Sequence, residues 1–124
     1  MPENLTDATA ERAIAERYID EMLDAEKNVD YDAFIVRFEP TDLENFPKEK
    51  FENDMKNIRE ELGDYISRDY LGQVKGFVHP AKNEGYPDCI RFVWRGVFER
   101  NEAIVTMGIH KRSGQWFVNE IMYR

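Results

Sequence analysis

The chain has 124 residues, a formal net charge of −8 and a single cysteine, Cys89. That length supports one hydrophobic core without covalent staples, and a lone cysteine excludes an internal disulfide, as suits a reducing compartment or a protein indifferent to redox state. The acidic excess falls in the first half and leaves no basic stripe, which speaks against nucleic acid or an anionic membrane as partner.

The opening Met-Pro-Glu-Asn-Leu-Thr has neither a basic flank nor an apolar run, and no stretch is long and apolar enough to span a bilayer. A cytoplasmic protein with one domain over residues 1–124 is expected. Its acidic helices read as a solvated surface, with a docking face for a basic partner protein as the alternative.

Thr6 is placed to cap a helix whose apolar positions Ala10, Ile14, Tyr18, Met22 and Leu23 keep 3.6-residue spacing, ending near Asn28. Residues 30–38 read as a short helix capped by Asp30 and stopped at Glu39-Pro40. A third helix opens at Phe46-Pro47, with proline at the first helical position. It carries the stripe Phe51, Met55, Ile58 and Leu62 and stops at Gly63. A strand over 65–77 follows, with Gly72 and Gly76 marking a bulge or bend, and then a loop over 79–87 dense in turn formers.

The remaining chain predicts three strands, 90–99, 102–111 and 115–123, joined by two-residue turns at Arg100-Asn101 and Ser113-Gly114. Such turns set a register in which Phe98 faces Ala103, Trp94 faces Met107 and Phe92 faces Ile109. Across the second hairpin Met107 faces Glu120, Ile109 faces Val118 and Val105 faces Met122. One face then holds Phe92, Trp94, Phe98, Val105, Met107, Ile109, Trp116, Val118 and Met122, with Glu120 as its single carboxylate. The other is mixed, carrying Arg91, Val93, Arg95, Val97, Ile104, Thr106, His110, Phe117, Asn119, Ile121 and Tyr123. Helices first and an antiparallel sheet afterwards predict an α+β fold with the helices on one sheet face.

Glu120 is the catalytic candidate. A carboxylate beside Met107 and Trp94 loses hydration, its pKa rises, and it becomes able to exchange protons near neutrality. The competing reading pairs it with an arginine or a tyrosine hydroxyl, or places it at the sheet rim. Tyr18 and Tyr70 are candidates to turn a hydroxyl into a ligand pocket walled by Trp94, Met107 and Trp116, although aromatics at such spacing also suit a core. His110 on the mixed face suits an interface. Two histidines without metal-ligand spacing, and no phosphate loop, nucleophile elbow or paired cysteines, leave no metal or cofactor expected.

The three N-terminal helices, the stretch Tyr65-Ile66-Ser67-Arg68-Asp69-Tyr70-Leu71-Gly72, then Ile90-Arg91-Phe92-Val93-Trp94 and the closing Gly114-Gln115-Trp116-Phe117-Val118 give a recognisable order of elements. In that order the chain resembles the cone-shaped superfamily of nuclear transport factor 2, ketosteroid isomerase and scytalone dehydratase, and most of all its uncharacterised bacterial members. The resemblance implies a curved sheet wrapped around the first helix (a cystatin-like fold), a cavity between them and frequent dimerisation through the sheet. It does not imply catalysis, since that superfamily hosts enzymes, binders and scaffolds.

Two function classes follow. The preferred one is a non-enzymatic domain binding a small apolar ligand or a protein partner, because the expected acid–base set is incomplete. The alternative is a small isomerase, dehydratase or hydrolase of the ketosteroid isomerase type, with Glu120 as general base and Tyr18 or Tyr70 polarising a carbonyl. The mixed face, too apolar for water and too charged for a core, predicts a homodimer in which Arg91 and Arg95 meet acceptors on the second subunit.

Overall fold

The computed structural model describes residues 2–76 and 85–124, with side chains described from residue 10. Helices α1 (Pro2–Lys27), α2 (Tyr31–Phe34) and α3 (Lys48–Leu62) precede strands β1 (Tyr65–Lys75), β2 (Ile90–Phe98), β3 (Glu102–Arg112) and β4 (Gln115–Tyr123). The strands form one antiparallel sheet in the order β1-β2-β3-β4, so the α+β expectation is met. Among the described residues no helix is long and apolar enough to cross a membrane.

Helix α1 buries Ala15, Tyr18, Ile19, Met22, Leu23 and Ala25, a stripe at i, i+3, i+4 and i+7. It shares one core with Phe92, Trp94, Met107 and Ile109, each fully buried. The helix begins at Pro2, so Thr6, expected as its cap, lies inside it, and Ala10 is exposed. Arg68 on β1 ties the sheet to α1, donating to Glu16 Oε1 at 2.7 Å and Asp20 Oδ1 at 2.7 Å, while Trp94 Nε1 reaches Glu16 Oε2 at 3.2 Å.

The short helix expected over 30–38 is a single turn. Asp30 caps it as expected, accepting from Ala33 N at 3.1 Å, but it ends at Phe34 because the following residues take another role. Arg37 O accepts from Val118 N at 2.8 Å, and Phe38 forms a parallel bridge with Val118, so the chain docks on the outer edge of β4. A 3-10 turn, Pro40–Leu43, then carries Glu39 and Asp42 round that edge. Helix α3 buries Phe51, Met55 and Leu62 as its stripe predicts; Pro47 is its N-cap, so the helix begins one residue later than expected. In β1 the register slips between Tyr70 and Gly72, where a bulge was expected; Phe77 and positions 79–84 of the expected loop lie outside the described residues.

The β2–β3 connection is longer than two residues. Val97 pairs with Glu102 and Phe98 N donates to Asn101 O at 3.0 Å, so Gly96 rather than Phe98 faces Ala103, and Trp94 faces Val105 rather than Met107. The slip is of two residues, which leaves every side chain on its expected face. The β3–β4 turn is the expected one: Ser113 (φ 53°) and Gly114 (φ 79°) both take positive φ, and Ile109 faces Val118.

Beyond that pair a bulge at Asn119 puts Glu120 opposite Gly108, Ile121 opposite Met107 and Tyr123 opposite Val105. One extra residue reverses the two faces of the strand end. Glu120 and Met122 therefore leave the core face to which they were assigned, and Ile121 and Tyr123 pack on the core instead. Gly108 permits this, since a Cβ there would collide with Asn119 Oδ1.

Candidate functional site

Two clefts flank the C-terminal turn of α1. The larger, about 480 Å³, runs between the end of β4 and the α2–α3 segment. Its apolar wall is Phe34, Phe38, Phe46, Met55, Ile58, Ile121 and Met122, and its polar groups are Glu26, Asp42, Asp54, Asn57, Asn119, Glu120 and Tyr123. The smaller, about 350 Å³, is walled by Leu23, Tyr65 and Phe98 with Asp20, Asp24, Lys27, Arg59 and Asp64. Glu26, Met55 and Ile58 belong to both walls.

Glu26 is buried by the helix that carries it. It lies four residues past Met22 and seven past Ile19, in phase with the core stripe, and only 8% of it is exposed. The Tyr123 hydroxyl donates to Glu26 Oε1, and Oε2 has no hydrogen-bond partner among the described residues. Burial pushes the Glu26 carboxyl up to about 7, against the opposing pull of the Tyr123 hydrogen bond and the Arg59 charge. Arg59 does not neutralise that carboxylate directly, because its Nη2 donates to the main-chain carbonyls of Glu26 and Lys27 at the C-terminus of α1. Burial also raises Tyr123 well above its ordinary value, with the Glu26 charge adding to the effect, so the phenol remains a donor at neutral pH. The pair joins a carboxyl able to gain or lose a proton near neutrality to a fixed hydrogen-bond donor.

A second polar cluster lies where residues 39–43 cross the mixed face. His110, fully buried, sets Nε2 2.6 Å from Glu39 Oε2 and Nδ1 3.0 Å from Asn119 Nδ2. Arg112 Nε donates to Glu39 Oε1 at 2.6 Å, and the Tyr86 hydroxyl donates to Asp42 Oδ1 at 2.9 Å. Glu39, Asp42 and His110 each offer a metal-ligating atom within 4.8 Å of the others, but both Glu39 oxygens already meet protein donors. The cluster pins the crossing segment to the sheet. His110, expected on an open interface, is covered within its own chain.

Glu120 lies in the wall of the larger cleft, not beside Met107 and Trp94, and accepts from Arg91 Nε at 2.7 Å. Its structure is thus the arginine pairing that sequence offered as the competing reading. None of the five expected pocket residues lines either cleft. Trp94 and Met107 are fully buried, the Tyr18 hydroxyl donates to Trp116 O at 3.2 Å, and Tyr70 packs on Trp94 with Arg12 over its outer face. Sequence reasoning missed Glu26 and Tyr123. The signal for Glu26 was its phase with Ile19 and Met22; Tyr123 was hidden by the bulge.

No protein-family model matches the chain, and no curated protein matches it.

Proposed function

We propose that the protein is a non-enzymatic, nuclear transport factor 2-like domain that holds a small, largely apolar ligand in the larger cleft, with the ligand's polar end against Glu26 and Tyr123. What supports this most is the union, in one open cleft, of an aromatic wall and a buried carboxyl displaced to about 7. Ligand sites are typically apolar concavities with a few convergent polar groups, and strongly perturbed carboxyls cluster in them. Phe34 and Phe38 stack with centroids 6.2 Å apart, and Phe46 lies 5.9 Å from Phe34, so the wall offers ring faces and edges to a flat or aliphatic body. A fragment library screened against the methyl resonances of Met55, Ile58, Ile121 and Met122 tests the reading. Saturable shifts confined to these methyls are expected, and their absence at millimolar fragment would count against it.

The same pair supports a second reading. Isomerase-type chemistry needs a carboxylate base and a hydrogen-bond donor in one cavity, and Glu26 and Tyr123 fill those roles better than Glu120, which is held by Arg91. Exchange of α-protons of added ketones into deuterated water, lost in Glu26→Gln, distinguishes an enzyme from a binder.

We also propose that the open part of the mixed face mediates a homodimer. The bulge adds Met122 (37% exposed) to a face already carrying Ile104 (39% exposed), and Leu71 and Val74 extend the apolar surface along β1. Arg91 and Arg95, expected to seek acceptors on a second subunit, find them at home: Arg91 with Glu120, Arg95 with Asp69 at 2.6 Å and Glu102 at 3.7 Å. The apolar side chains, not the arginines, are left to drive association.

A further inference from the structure

We infer that the ligand of the larger cleft is a cation, a small apolar amine whose ammonium group pairs with Glu26. This rests on the cleft being a ligand site and adds the chemical class that the site selects. All four charged side chains in its wall, Glu26, Asp42, Asp54 and Glu120, are carboxylates.

Their availability differs. Glu120 is paired with Arg91, and Asp54 with Lys50 at 3.2 Å on the surface. Glu26 is the buried one, without a cation on its carboxylate, and its Oε2 is unpartnered among the described residues. Asp42 Oδ2 is buried with no hydrogen-bond partner among the described residues. Unpartnered acceptors favour a ligand rich in donors, and an anion would meet only like charge. Phe34, Phe38 and Phe46 line the same wall, and aromatic rings attract an ammonium or a methylated amine. Charge-assisted hydrogen bonding to a desolvated carboxylate is the strongest single contact this wall can supply.

Binding of an ammonium stabilises ionised Glu26 and so expels its proton. The groups facing Glu26 are Tyr123 and Arg59, with Asp42, Asp54 and Glu120 across the larger cleft and Asp20, Asp24, Lys27, Asp64 and Tyr65 across the smaller; Tyr123 remains protonated throughout the neutral range. With the free carboxyl at about 7, release of about half a proton per amine bound is expected at pH 7.

The test is calorimetry and methyl NMR on the full chain with two matched probe pairs, 2-phenylethylamine against 2-phenylethanol and hexylamine against hexanol, at pH 8 and pH 5.5. Amines binding at least tenfold more tightly than their alcohols at pH 8, with the gap shrinking at pH 5.5 where Glu26 is protonated and both amines remain charged, is the expected result. Heats that differ between two buffers in the sense of proton release support it further. Glu26→Gln should close the gap between amine and alcohol; if that variant does not fold, the pH dependence in the native chain decides. Equal binding of amine and alcohol in the cleft overturns the cation while sparing the cleft. Binding of none of the four probes overturns both.

Discussion

Tyr123 on the last strand donates its phenolic hydrogen to the carboxylate of Glu26 on the first helix, 97 residues away in the chain. The contact exists only because the Asn119 bulge turns Tyr123 inward, and it sits where two clefts share a wall.

Glu26 makes stability fall as pH rises. Its folded pKa of about 7 lies above the ordinary 4.5, so between those values the folded chain binds more protons than the unfolded one. The penalty is absent below pH 4.5, develops through the interval and is complete above 7, amounting to about 3 kcal/mol at most. Denaturant unfolding of the native chain between pH 5 and 8 should show this decline, and Glu26→Gln should flatten it. An unchanged slope in the variant would assign the dependence to other groups.

Gly108→Ala tests the bulge. A methyl at that position collides with Asn119 Oδ1, so a loss of about 1–3 kcal/mol is expected by urea unfolding. Combined with Asn119→Ala, which removes the obstacle and also the contact to His110, the double variant should be more stable than the sum of the single losses. Strict additivity would show that the two residues do not meet.

Trp94 is fully buried between β1 and α1, against Tyr70 and hydrogen-bonded to Glu16. Trp94→Ala should cost about 3–5 kcal/mol in chemical denaturation. A near-zero change would mean that the ring faces open space.

The faces of β2 and β3 were legible in the sequence because alternation survives an error of two residues in turn length. Glu99, Arg100 and Asn101 contain no glycine to specify a tight turn, and the longer connection moved Trp94 from Met107 to Val105 without changing sides. The end of β4 was not legible. Asn119-Glu120-Ile121-Met122-Tyr123 places an apolar residue on either face in either phase, so nothing in its pattern reveals an added residue. The expected pocket residues suffered differently: large rings at the centre of a sheet face fill the space beneath α1 rather than line it, and the open volume lies at the helix end, where packing runs out.

Association through the open sheet face should appear in sedimentation velocity as a mass near twice 14.7 kDa at micromolar concentration. Ile104→Glu puts a charge on that face and should return the chain to the monomer with its helical signal intact. A native mass of 14.7 kDa that does not rise with concentration would remove the dimer.

Glu26 is a desolvated carboxyl held, among the described residues, without a cation at the polar end of an apolar cleft. Carbon-13 NMR of the Glu26 side-chain carboxyl, titrated from pH 3 to 9 and assigned by comparison with Glu26→Gln, measures this most directly. A midpoint near 7 is expected in the free protein, moving down when 2-phenylethylamine is added. A midpoint near the ordinary 4.5, unmoved by the amine, would contradict it.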